Sequence, residues 1–202
     1  MAERAIVWEG LDAWRAEVAV VRLEADRVRA TGTQLGVDPV PYRLQYELET
    51  GANWETQRLR LRSTGAGWSR SLDLRHDGAG GWTCDAGETG KAPFPEPGGD
   101  VAAVRGAIDC DLGGSPLTNL MPVRRHALHV HEGEHDLLMA WVDVPSLQLV
   151  PSWQRYEHRS RGEDGTVVRF STRDHGGFSA DLQLDRDGLV RRYPGLAARV
   201  GD

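Results

Sequence analysis

The sequence predicts an all-β protein, mainly antiparallel, folded as a many-stranded open or curled β-barrel with one or two short helices. Three observations carry this. Apolar residues recur with period two, turn residues with glycine punctuate them at close intervals, and no long stretch shows a 3.6-residue apolar stripe. The absent stripe argues against an α/β fold built on crossover helices.

The alternation begins at Val18 and Val20, with Val21 and Leu23 beside them. It is cleanest at Tyr42, Leu44, Tyr46 and Leu48, where Arg43, Gln45, Glu47 and Glu49 take the other face. Leu59 and Leu61 alternate with Arg58, Arg60 and Arg62, and Leu72 and Leu74 follow, led by Trp68. Late in the chain come Val168 and Phe170, then Phe178, Ala180, Leu182 and Leu184. Between these runs lie Thr50-Gly51-Ala52-Asn53, His76-Asp77-Gly78, Glu163-Asp164-Gly165 and Arg186-Asp187-Gly188. Asp-Gly supplies the positive φ that tight hairpins demand, so the pattern reads as a meander.

Glu88 to Gly106 breaks the rhythm with Pro93, Pro95, Pro97, Gly98 and Gly99. A loop of this length is usually a lid, a binding loop or a linker. It joins two strand-rich halves, about 1–87 and 107–202, within a single domain over 1–202. Beyond it, Ser115 suits an N-cap and Pro116 a first helical position. A short helix with Leu117, Leu120 and Met121 on one face is therefore expected, ended by Pro122. A second helical turn is expected at Pro194 to Arg199.

The chain has 202 residues, 40% hydrophobic and 27% charged, which excludes disorder and suffices for one sizeable core. A formal net charge of -6 makes nucleic acid an unpromising partner. No apolar run approaches the roughly 20 residues that span a bilayer, and the N-terminus lacks the apolar core of a signal peptide. With only two cysteines, Cys84 and Cys110, no disulfide scaffold is available, and a cytoplasmic location is expected.

His126, His129, His131 and His135 invite a metal reading, since His129 and His131 on a strand would share one face. The spacing is loose and no distant third ligand stands out. A polar turn with exposed histidines and Gly133 at its tip is the preferred reading. Arg58, Arg60 and Arg62 form either a basic ladder for an anion or a solvated face paired with Glu47 and Glu49; the latter is preferred. Nucleophilic motifs are absent around Ser115, Cys84 and Cys110, no phosphate loop occurs, and no cofactor is called for. Seven tryptophans fill the core or line an apolar pocket.

Three stretches together resemble a bacterial glycolipid-binding family. They are Asp109-Cys110-Asp111-Leu112-Gly113 through Ser115-Pro116, Thr118-Asn119, Pro122 and Arg124-Arg125; Trp141-Val142, Val144-Pro145 and Gln154-Arg155-Tyr156; and Phe178, Ala180-Asp181-Leu182, Asp185, Gly188-Leu189-Val190 and Tyr193-Pro194-Gly195-Leu196. The resemblance implies an open β-barrel, similar to periplasmic carriers of lipoproteins, and a glycolipid or other amphiphilic small molecule as ligand. It carries no agreed catalytic set. Asp109 and Asp111 share one strand face, and Arg124 and Arg125 lie beyond the helix. A carboxylate–guanidinium network there is either a structural latch or a head-group clasp. Gln154 and Tyr156 pose the same choice against Arg155. The candidate ligand-binding residues are Asp109, Asp111, Ser115, Asn119, Arg124, Arg125, Trp141, Gln154 and Tyr156. The alternative is an enzyme that uses a metal or a cavity carboxylate on a small amphiphile. The apolar sides of the strands are expected to converge on a hollow that the ligand enters.

Overall fold

The structure is a computed structural model and describes residues 3–163, 165–174 and 177–201. The first half holds β1 (Glu3–Gly10), β2 (Arg15–Leu23), β3 (Val28–Gly36), β4 (Tyr42–Thr50), β5 (Thr56–Gly65), β6 (Trp68–His76) and β7 (Trp82–Gly90). The second holds β8 (Asp109–Leu112), α1 (Leu120–Arg125), β9 (Glu134–Val142), β10 (Leu149–Gly162), β11 (Gly165–Thr172), β12 (Phe178–Leu184), β13 (Val190–Tyr193) and β14 (Ala197–Arg199).

Among the described residues these strands make one 14-stranded sheet, with β1 and β14 adjacent and β7 and β8 at its two edges. The two edges do not pair, so the sheet is curled but not closed. All pairings are antiparallel except β8 with β9. Asp-Gly turns sit at Gly78 and Gly188, whose φ values of 77° and 85° suit glycine. In the turn at Glu163-Asp164-Gly165, Asp164 lies outside the described residues.

Two cores fill the molecule. In the first, Leu44, Leu59 and Leu74 from the inner face of β4–β6 are wholly buried. They belong to one cluster with Leu112, Leu117, Leu120 and Met121, which come from the second half. The second core lies over β10–β13, around Tyr156, Phe170, Leu182 and Tyr193. The parallel β8–β9 pair serves both. Cys110, Leu112, Ala140 and Val142 join the first core, whereas Met139, on the alternate face, joins the second. Of the shared hollow expected inside the sheet, the part bounded by the first half is therefore occupied by the chain's own residues.

Several expectations need correction. Val18 and Val20 face outward, 43% and 41% exposed, while Glu17, Ala19 and Val21 point inward. Pro122 does not end the helix. It lies in the first turn of α1, where an amide N–H has no intrahelical partner to lose. A 3₁₀ turn at Leu117–Asn119 leads into α1. Pro194 to Arg199 is a turn followed by β14, because residues 197–199 pair with β1. His129 and His131 lie in a turn region between α1 and β9, not on a strand.

Candidate functional site

At the end of the molecule where β1 turns into β2 and β13 into β14, the second half leaves a cavity of about 320 Å³. Its polar floor comes from β8, the segment after it, and β10: Asp111, Ser115, Asn119, Ser152 and Gln154. Its wall is apolar and aromatic: Leu112, Trp141, Phe170, Phe178, Tyr193 and Leu196. Thr172 from the end of β11, and Asp12, Gly114, Asp174 and Gly195 from the segments between strands, complete the lining.

Alternation on β8 turns Asp109 and Asp111 to the same side, and the fold gives them different partners. Asp109 is 1% exposed and receives both arms of the Arg125 guanidinium, one at 2.6 Å. Burial pushes the Asp109 carboxyl up and the guanidinium pulls it back. This pair is the latch between β8 and α1. Asp111 instead borders the cavity. Its oxygens accept the Thr118 hydroxyl and the Gln154 amide, each at 2.6 Å. Burial raises its pKa against these two bonds.

Alternation on β10 likewise turns Ser152, Gln154 and Tyr156 inward. The Tyr156 hydroxyl lies 3.0 Å from both the Gln154 and the Asn119 side-chain oxygens. Tyr156 thus holds the floor from behind and does not line the cavity. Arg124 lies elsewhere, its guanidinium 4.6 Å from the Trp54 ring centre and 3.3 Å from the Asp187 carbonyl. Of the residues singled out from sequence, Asp111, Ser115, Asn119, Trp141 and Gln154 meet around the cavity. Asp109, Arg124, Arg125 and Tyr156 do not line it.

Beneath the floor runs a second polar network that the sequence did not reveal. The Ser115 and Tyr46 hydroxyls both donate to Glu17 at 2.7 Å, and the Tyr42 hydroxyl donates to Gln34 at 2.7 Å. Glu17 is 2% exposed, and burial raises its pKa while three hydrogen bonds oppose the rise. The signal for this network was the pairing of Gly32 with Tyr46 and Gly36 with Tyr42 across β3 and β4. A Cβ at Gly32 would lie 2.3 Å from the Tyr46 ring, so only glycine lets that ring lie flat on the strand.

The other candidates resolve plainly. Arg60 meets Glu47 at 2.8 Å, and Arg58 meets Asp73 at 2.8 Å in place of the expected Glu49, so these two arginines are ion-paired on the outer surface. It borders an outer-face depression of about 480 Å³, larger but more open to solvent than the end cavity. His126 and His135 stack with ring centres 3.8 Å apart, and burial drops the His126 pKa to about 4. Among the described residues no group of three His, Cys, Asp or Glu side chains is placed to hold a metal. The Pro-rich loop packs on the first half, where Phe94 meets Trp68 edge-on, and contributes nothing to the cavity lining.

A curled, open antiparallel sheet with a part-polar, part-aromatic end cavity defines an all-β protein with space for a small ligand. The chain belongs to the family described as "Putative glycolipid-binding", whose sequence profile matches residues 5–199. The fold is similar to the crystal structure of a DUF1089 family protein from Pseudomonas aeruginosa, at 25% identity and a TM-score of 0.71, over 91% of this chain and 92% of that one. No curated protein matches the chain. No helix among the described residues is long and apolar enough to cross a membrane.

Proposed function

We propose that the chain is a binding protein that holds one end of a glycolipid or similar amphiphile in the end cavity. The observation that carries this is the division of the cavity into a hydrogen-bonding floor and an aromatic wall. A head group would meet Asp111, Asn119, Ser152 and Gln154, while apolar atoms would lie against Trp141, Phe170 and Phe178. The family description supports a ligand of this kind. At about 320 Å³ the cavity is at the small end of the range for ligand pockets, so it suits a head group or a short stretch of chain. Each buried methylene would contribute about 0.8 kcal/mol. In this reading Asp109, Arg124 and Arg125 are structural, and the protein works in the cytoplasm, where Cys84 and Cys110 stay as the free thiols they are here.

Native mass spectrometry of gently purified protein tests the reading, first alone and then after incubation with octyl β-glucoside. The expected result is an adduct that collisional activation removes. Protein that stays at its bare mass under both conditions would sink the proposal.

A further inference from the structure

The charged residues that line the cavity, among those described, are all acidic: Asp12, Asp111 and Asp174. A cation beside the lining is already engaged. Arg15 donates to Asp12 at 3.0 Å and to the Leu196 carbonyl at 2.9 Å. Asp174 accepts the Trp153 amide at 2.8 Å and the Thr172 hydroxyl at 3.1 Å. Asp111 has neutral donors only, Thr118 and Gln154. A phosphate, sulfate or carboxylate placed here would face three carboxylates with no cation among the described lining residues and with Arg15 already paired to Asp12, in a partly desolvated site where unpaired charge is costly.

The hydrogen-bonding capacity that remains is uncharged. Tyr193 is 6% exposed and lines the cavity, and among the described residues nothing hydrogen-bonds its hydroxyl. The single Tyr156 proton can serve only one of its two acceptors, which leaves either the Gln154 or the Asn119 oxygen short of a donor. Ser152 adds a hydroxyl that both donates and accepts. Vacant donors and acceptors side by side match ligand hydroxyls, which do both. The Trp141, Phe170 and Phe178 rings offer apolar surface to the C–H face of a ring.

We propose that this cavity, given the ligand-binding reading above, discriminates by charge. It takes an uncharged, hydroxyl-bearing ring, read by Tyr193 and Asp111 as specificity-determining residues, and it turns away anionic head groups.

The test is isothermal titration of amphiphiles that share an octyl tail: octyl β-glucoside, octyl phosphate, octyltrimethylammonium and 1-octanol, each below its micelle concentration. Octyl glucoside should bind at least about tenfold more tightly than octyl phosphate. Tyr193→Phe keeps the ring and its contacts with Phe170 and Phe178. It should weaken the glucoside roughly three- to tenfold and octanol, with its single hydroxyl, by less. Octyl phosphate binding as well as the glucoside, the trimethylammonium binding best, or Tyr193→Phe weakening octanol equally would each overturn the charge assignment while leaving a ligand site in place. Failure of all four to bind would instead remove the ligand-binding reading and this proposal with it.

Discussion

In the first half of the sheet the inner leucines Leu44, Leu59 and Leu74 have no exposed surface, because Leu112, Leu117, Leu120 and Met121 fill the space before them. In the second half Phe170, Phe178 and Tyr193 face about 320 Å³ that no described side chain fills. Both halves are antiparallel meanders with alternating faces. What separates them is the β8–β9 pair, whose residues on one face are small and apolar and on the other carry Asp111 and Trp141. One half is therefore a packed support and the other a receptacle.

The largest expected effect comes from cutting the latch that positions this partition. Arg125→Ala leaves Asp109 as an uncompensated buried charge and should cost about 3–5 kcal/mol, read from the urea midpoint. Equal truncations should then split by region. Leu44→Ala opens a hole in the packed half and should cost about 2–5 kcal/mol. Phe178→Ala, at a site already 42% exposed, should cost only about 1 kcal/mol and weaken ligand binding instead. Similar costs for the two would erase the distinction between support and receptacle.

Gly32→Ala tests how far the support extends beneath the floor. Its Cβ would displace the Tyr46 ring and loosen Tyr46 from Glu17, for about 1–3 kcal/mol of stability. Acid titration gives a smaller effect. The His126 pKa is about 4 in the folded chain and near 6.5 when unfolded, so the unfolded state binds more protons between those values. His126 therefore makes stability fall as pH drops through that window. His126→Gln should flatten this part of the profile of Tm against pH. Smallest of all, Arg60→Ala removes a pair whose members are 42% and 53% exposed, and should cost about 0.2–1 kcal/mol.

The strand β4 was legible because its two faces differ sharply, tyrosine and leucine against arginine, glutamine and glutamate. β2 was legible as a strand but its inner face was not, because a valine suits a strand on either face and Glu17 looks like a surface residue. Its burial depends on Tyr46 and Ser115, which lie 29 and 98 positions away. Likewise Asp109 and Asp111 are equivalent by alternation, and only the fold supplies Arg125 to one and Gln154 to the other. Phe170 was visible as a strand residue and Tyr193 as part of a motif. Their meeting at 5.7 Å depends on the register of β12 against β11 and β13, shifted between Gln183 and Leu184, which no local pattern encodes.

Backbone and indole amide shifts followed by NMR during titration with octyl β-glucoside address the central claim most directly. The account predicts saturable shifts concentrated at Asp111, Gln154, Tyr193 and the Trp141 indole, with the inner residues of β4–β6 silent. Shifts centred on β4–β6, or none at saturating concentrations, would contradict it.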